Sequence, residues 1–198
     1  MSQPAIQPNE LRRKVFHITL GTVLSLLYAF DILTRGRLLV LLGCVIFMFL
    51  LYLVWNIPVL HQLMLLVERD EDMRTFPGIG AIFFVAGFAV AAWLFPRDIA
   101  FAAMLILSWA DGIAVIAGAF GRVPYINPKK NWEGILAGII VGGTAALVAV
   151  SFFEAFIGAA IAMLVEGMDI TVAGWRVSDN VTMPLISGLV MMGLRFLI

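Results

Sequence analysis

Charged residues are scarce in this chain. Asp, Glu, Lys and Arg together make up 13% of its 198 residues, and they cancel to a net charge of zero. A chain with no net positive field has nothing to gather a polyanion, so nucleic acid is excluded as a partner. Cysteine is scarcer still: Cys44 stands alone in an apolar run, which rules out an intrachain disulfide and makes the thiol packing material. The sequence holds no GxxxxGK[ST], GxGxxG, HExxH or GxSxG, so the usual soluble nucleotide, metalloprotease and hydrolase sites find no support. Internal repeats and low-complexity linkers are absent too, and no A-x-A-like site follows the first apolar run, so no cleaved signal peptide is expected.

What fills the chain instead is apolar surface. Hydrophobic residues reach 62% and mean hydropathy is +1.02, far beyond what a soluble domain of this size needs, so the expectation is one integral membrane domain spanning 1–198. Its class is all-α, a polytopic helix bundle of about seven transmembrane helices plus a surface amphipathic helix. Residues 1–9 read as a flexible polar tail. Glu10 to Phe30 reads as a helix with charged first turns, and Leu38 to Trp55 as a second span. Pro58 to Arg74 repeats Val59, Leu60, Leu63, Met64 and Val67 at helical spacing before the acidic run ERDED, the pattern of a helix lying on a surface. In that run Asp70, Glu71 and Asp72, with His61 before it, are assigned to a solvated face. Ile79 to Phe95 and Ile99 to Gly118 are the third and fourth spans.

A fifth helix is expected to start at Asn127 as N-cap with Pro128 in its first position. Gly134, Gly138 and Gly142 give it a small-residue face that another helix can approach closely. The next apolar run, AFIGAAIAMLVEG, is short for a bilayer unless Ser151, Phe152 and Phe153 join it, which leaves a span or a re-entrant segment open. A polar loop from Gly167 to Val177 and a span from Val181 to Ile198 complete the chain.

With the N-terminus inside, nine Lys and Arg residues lie on the cytoplasmic side (Arg12, Arg13, Lys14, Arg69, Arg74, Arg122, Lys129, Lys130, Arg176). Four lie opposite: Arg35, Arg37, Arg97 and Arg195. The positive-inside rule therefore makes the N-terminus cytoplasmic. The same orientation brings RRKVFH, ERDEDMR, FGRVPYINPKK and EGMDITVAGWRVSDN to one face.

Several residues on that face invite chemistry. Asp111 lies inside an apolar run, where a carboxylate needs a function or a partner. It reads as a Mg²⁺ ligand, the competing reading being a structural pair with Arg122, its nearest cation in sequence. Lys129 and Lys130 at a helix start, beside Arg122 and the small Gly118 and Gly121, suit a nucleotide triphosphate or, alternatively, an anchor to anionic lipid. Arg13, Lys14 and His17 share one side of the first helix, as snorkelling interfacial residues or as phosphate contacts with His17 as a general base. Glu166 and the pair Asp179–Asn180 are ordinary at helix ends, but they return to the face that holds Asp111.

Three blocks then carry a resemblance. Glu10 to His17 with Gly21, then Asp111 to Gly121 followed by Asn127-Pro-Lys-Lys-Asn-Trp-Glu-Gly134, then Glu166 with Asp179-Asn180 and Pro184, together resemble the dolichol kinase and phytol kinase family of membrane lipid kinases. The resemblance implies CTP-dependent, Mg²⁺-requiring transfer of the γ-phosphoryl group to a lipid alcohol such as a polyprenol, phytol or diacylglycerol at the cytoplasmic membrane face. It implies catalytic roles for Asp111, His17, Lys130 and Glu166. Nucleotide binding would fall to Arg13, Lys14, Gly118, Gly121, Arg122, Asn127, Lys129, Lys130, Glu133 and Asn180, and metal binding to Asp111, Glu166 and Asp179. That family often has Ser or Thr where this chain has Asn131, which puts a hydroxyl role there in question. Phosphatidate cytidylyltransferases are similar in the central block, but the P-G-H-G-G block they usually carry is absent here. A CTP:lipid-phosphate cytidylyltransferase is thus the alternative, and a non-enzymatic transporter or lipid-binding scaffold a second one. The sequence leaves a homo-oligomer open.

Overall fold

The apolar runs fold as helices. A computed structural model describes residues 8–55, 57–68, 72–73, 76–168, 171–172 and 175–197. Its helices are α1 (Pro8–Ala29), α2 (Arg35–Trp55), α3 (Pro58–Val67), α4 (Ile79–Leu94), α5 (Arg97–Gly118), α6 (Trp132–Ala146), α7 (Phe152–Glu166) and α8 (Asp179–Leu197). Among the described residues the one named strand pair is a short antiparallel hairpin, β1 (Thr171–Val172) on β2 (Trp175–Arg176), inside the loop before α8. The result is a helical membrane bundle. By length and composition α2, α5 and α8 can each cross a bilayer, and α4 and α6 are shorter apolar helices.

α5 is the axis. Ile99, Ala100, Ala102, Ala103, Met104, Ile106, Leu107 and Ala110 are sealed from solvent, and the many alanines let α1, α4, α6 and α8 all crowd against it. The glycine face of α6 docks on the same helix. A Cβ at Gly134 would lie 2.5 Å from the Ala114 carbonyl oxygen, and one at Gly142 would lie 2.6 Å from the Ala110 Cβ, so only glycine permits this approach. α2 is peripheral and leaves most of its apolar surface uncovered.

Charges collect at the two ends of the bundle. At one end Arg97 pairs with Asp31 at 2.6 Å, and Arg195 reaches Asp98 at 2.7 Å and Glu154 at 2.8 Å. Arg35 and Arg37 open α2 at this same end. The residues of the three sequence blocks lie at or toward the other end. Arg69 and Arg74, both counted in the charge asymmetry, fall outside the described residues, as do Asp70 and Glu71.

Three helix boundaries are now fixed. Helix α6 begins at Trp132, not after Asn127. The Asn127 side chain accepts from the Lys129 amide at 3.0 Å and closes a turn, after which Tyr125 N–H donates to the Lys130 carbonyl and Trp132 N–H to the Val123 carbonyl. This small hairpin postpones the helix, and Asn131 becomes its N-cap, accepting from Gly134 N at 3.0 Å. Ser or Thr could make the same cap, so this position needs an acceptor oxygen rather than a reactive hydroxyl. Phe152 and Phe153 do join α7, behind a capping box between Ser151 and Glu154, which gives 15 residues. Finally α8 starts at Asp179, two residues before the expected apolar span and with Asp179–Asn180 at its opening, where the Val181 and Thr182 amides both donate to the Ser178 carbonyl.

Candidate functional site

Lys14 and Asp111 lie 97 residues apart in sequence and meet in the bundle. The ammonium donates to Asp111 Oδ2 at 2.6 Å, with Lys14 2% and Asp111 6% exposed. Arg122 is therefore not the partner that proximity in sequence suggests: it is exposed on the loop after α5, and the cation that neutralises Asp111 comes from α1. His17, one turn beyond Lys14, brings Nε2 to 3.5 Å from the same Oδ2 and packs its ring on Phe84 at 4.5 Å.

Local structure explains how α1 reaches so far. Residues Leu107–Asp111 form a π-turn within α5, a distortion that re-aims the side chains following it. Beside it, a Cβ on Gly21 would fall 2.1 Å from Ser108 Oγ, so glycine lets α1 lie directly on the turn that carries Asp111.

The pair opens on a cavity of about 400 Å³. Arg13, Lys14, His17, Asp111, Asp179 and Asn180 line it, which brings together six of the residues singled out by sequence. Arg13 is steadied by Glu10 one turn earlier in α1. Asn180 donates to the Gly80 carbonyl at 3.2 Å and fixes the start of α8 against the start of α4. Phe16, Leu20, Phe76, Ile79, Phe83 and Phe84 form an apolar side, and Phe16, Phe76 and Phe83 are partly open to the surroundings.

The basic loop stands next to this cavity rather than on its wall. Lys130 makes an ion pair with Glu166 at the end of α7, and its charge acts on Asp111. Glu166 is 4% exposed and its Oε2 has no hydrogen-bond partner. Arg122 and Lys129 are exposed. Glu133 accepts from the Arg122 and Val123 amides, and the Asn131 amide donates to the Gly118 carbonyl at 2.5 Å, packed against Gly121, so these residues shape the loop.

Two acidic residues belong to the site that the sequence had assigned elsewhere or passed over. Asp72, read as part of a solvated face, lines the cavity, and so does Glu68, which is 5% exposed. Glu68 accepts from Gly80 N at 3.2 Å and Ala81 N at 3.0 Å, capping the first turn of α4 from across the cavity. Burial raises its pKa above the ordinary carboxylate range, against the lowering effect of those two amides. The hints in sequence are the place of ERDEDMR on the same face as the other blocks and the i, i+4 spacing of Glu68 and Asp72, which an acidic surface run hides.

The donor set can be tested against Mg²⁺. The cavity wall carries the carboxylates of Glu68, Asp72, Asp111 and Asp179 against the cations of Arg13 and Lys14, an excess of negative charge that a polyphosphate would meet with repulsion. Among the described residues no three His, Cys, Asp or Glu side chains converge on one point. Magnesium suits such a wall, because it needs only one or two carboxylates when phosphate oxygens and water complete its shell.

A polytopic helical bundle with a buried Lys–Asp pair on a half-apolar, half-charged cavity near one of its ends is the class that fold and site define. Comparison with known proteins narrows it. CTP-dependent diacylglycerol kinase 1 of Eremothecium gossypii is 26% identical over 94% of this chain and 67% of its own length. Its namesake from Saccharomyces cerevisiae is 25% identical over 94% of this chain and 73% of its own. A third, from Schizosaccharomyces pombe, is 28% identical over 60% of this chain and 61% of its own. No protein-family profile matches the chain, and no solved structure matches it.

Proposed function

We propose that this chain is a CTP-dependent kinase that transfers the γ-phosphoryl group to the hydroxyl of a membrane lipid alcohol. Diacylglycerol is the acceptor that the relatives' names favour, and polyprenol and phytol follow from the motif resemblance. The observation that carries this reading is the single cavity on which the N-terminal Arg13-Lys14-His17 block, Asp111 of the central block and Asp179-Asn180 of the C-terminal block meet beside an apolar opening.

Catalysis of phosphoryl transfer is mostly positioning and charge neutralisation. Arg13 and Lys14 supply cations to the phosphates, and Lys130 extends them from the loop. Asp111 and Asp179, with Glu166 behind Lys130, would hold Mg²⁺, which would supply charge neutralisation to the phosphates when bound. His17 and Lys14 fix the orientation of Asp111. The acyl or isoprenoid chain lies along Phe16, Leu20 and Phe83 with its hydroxyl turned inward. This face is cytoplasmic in the proposed orientation, in keeping with the nine-to-four division of Lys and Arg.

The deciding measurement uses CTP labelled at the α or the γ phosphorus with diacylglycerol, polyprenol, phytol and their phosphates. Label entering lipid from γ-CTP, with release of CDP, is the expected result. Label entering only from α-CTP, with a lipid phosphate required, would make the protein a cytidylyltransferase instead.

A further inference from the structure

A lipid hydroxyl must lose a proton as it attacks phosphorus, and the cavity offers few groups free to accept one. Asp111 Oδ2 is already shared by Lys14 at 2.6 Å and His17 at 3.5 Å. His17 Nε2 faces that carboxylate at 3.5 Å and makes no hydrogen bond, but its ring is packed against Phe84, and a proton taken up there would place a second cation beside the Lys14 ammonium. Asp179 stands at the first turn of α8, among the groups proposed to face the metal. Glu68 differs from all of these. It is buried on the cavity wall, two amides of α4 hold its carboxylate, and the same wall carries Phe76 and Ile79 of the apolar side from which a lipid headgroup would arrive.

We infer that the Glu68 carboxylate is the general base of the reaction, a role that rests on the kinase reading above. The lipid O–H proton passes to Glu68 as the hydroxyl oxygen bonds to the γ-phosphorus of CTP. The bond from that phosphorus to the β,γ-bridging oxygen breaks, and CDP leaves with the electron pair. Glu68 then returns the proton to water. The two amides keep the carboxylate aimed through this cycle, and its pKa, raised by burial, gives it more basicity than a solvated glutamate. Among the described residues, the charged groups that share its cavity are Arg13, Lys14 and His17 of α1, Asp72, Asp111 of α5 and Asp179 of α8, while the first turn of α4 contributes only amides.

The test compares wild type, Glu68→Gln and Glu68→Asp as intact protein in diacylglycerol-containing vesicles with γ-labelled CTP. Gln retains an oxygen for an α4 amide and removes the base. The expected result is a fall in kcat of about 10²–10⁴-fold with little change in the KM for CTP. Wild-type kcat should also lose activity on the acid side as Glu68 protonates, above the ordinary carboxylate range, and Glu68→Gln should lose that limb. Glu68→Asp should keep the limb at reduced kcat. A Glu68→Gln variant with at least half of wild-type kcat, or one whose acid limb persists, overturns the inference, since a mere helix cap would shift stability and leave the pH profile alone. If the glutamine variant fails to fold, a wild-type profile without an acid limb overturns it equally. Wild type with no transfer from γ-CTP refutes the kinase reading itself, a different outcome from wild type that turns over while Glu68→Gln does so too.

Discussion

Asp111→Asn is the substitution whose consequences follow most directly from the geometry. Asparagine preserves the shape of the side chain and one acceptor oxygen, but it removes the carboxylate that receives the Lys14 ammonium at 2.6 Å, where the lysine is only 2% exposed. Breaking a buried pair by removing one partner costs about 3–5 kcal/mol. Stability must therefore fall whether or not Asp111 acts in catalysis, and the single variant cannot separate the two roles. Removing both charges can. We predict that Lys14→Met/Asp111→Asn recovers most of the lost stability, because replacing a whole buried pair with uncharged groups is often close to neutral.

Turnover should behave differently. If Asp111 and Lys14 act on phosphate and its metal, the double variant stays inactive, down by about 10²–10³-fold or more, the usual cost of losing one preorganised electrostatic contact. The assay is transfer from γ-labelled CTP, run beside thermal unfolding in the same detergent. A double variant that is stable and retains more than about a tenth of wild-type turnover refutes the catalytic role, since a tenfold loss corresponds to only about 1.4 kcal/mol of barrier. The pair would then be structural alone.

Three further outcomes can be checked. Asn131→Ala should lose about 1 kcal/mol of stability through the missing cap, while Asn131→Ser restores most of it and nearly full activity; a serine variant as unstable as alanine would show that the cap is not what matters. Gly142→Ala drives a methyl to 2.6 Å from the Ala110 Cβ and should cost about 1–3 kcal/mol, whereas Gly43→Ala on α2, with nothing within 4 Å, should be neutral in the same unfolding assay. Cysteine placed at Val123 in a Cys44→Ala background should react with impermeant reagent only from the cytoplasmic side, and labelling from the opposite side would reverse the proposed orientation.

Hydrophobicity and spacing made the bundle legible, since a bilayer demands long apolar helices whatever they later pack against. The glycine face of α6 could be recognised as an interface, but not its partner, because i, i+4 spacing says that something approaches and not what. The start of α6 was misplaced for a local reason: Asn127-Pro128 carries a valid helix signal, and a hairpin closed by the Val123 carbonyl and the Tyr125 amide outcompetes it. The partner of Asp111 was hidden because tertiary contact overrides proximity in sequence. Glu68 was hidden by its company, one carboxylate in an acidic run whose neighbours read as solvated.

The π-turn ties these elements together. In lipid there is little hydrophobic force between helices, so α1, α5 and α6 depend on close van der Waals approach. That approach is made at Gly21 on Ser108, and at Gly138 and Gly142 on Ala110. A regular α-turn advances about 100° per residue, so the extra residue of a π-turn rotates everything after it by roughly that angle. Within the turn itself consecutive residues serve different neighbours: Ala110 meets the glycines of α6, and Asp111 meets Lys14 and His17 of α1. The small-residue contacts and the buried charge pair thus meet on one turn of α5, where a carboxylate sits in an apolar bundle with the Lys14 ammonium on its Oδ2 and a cavity open beside it.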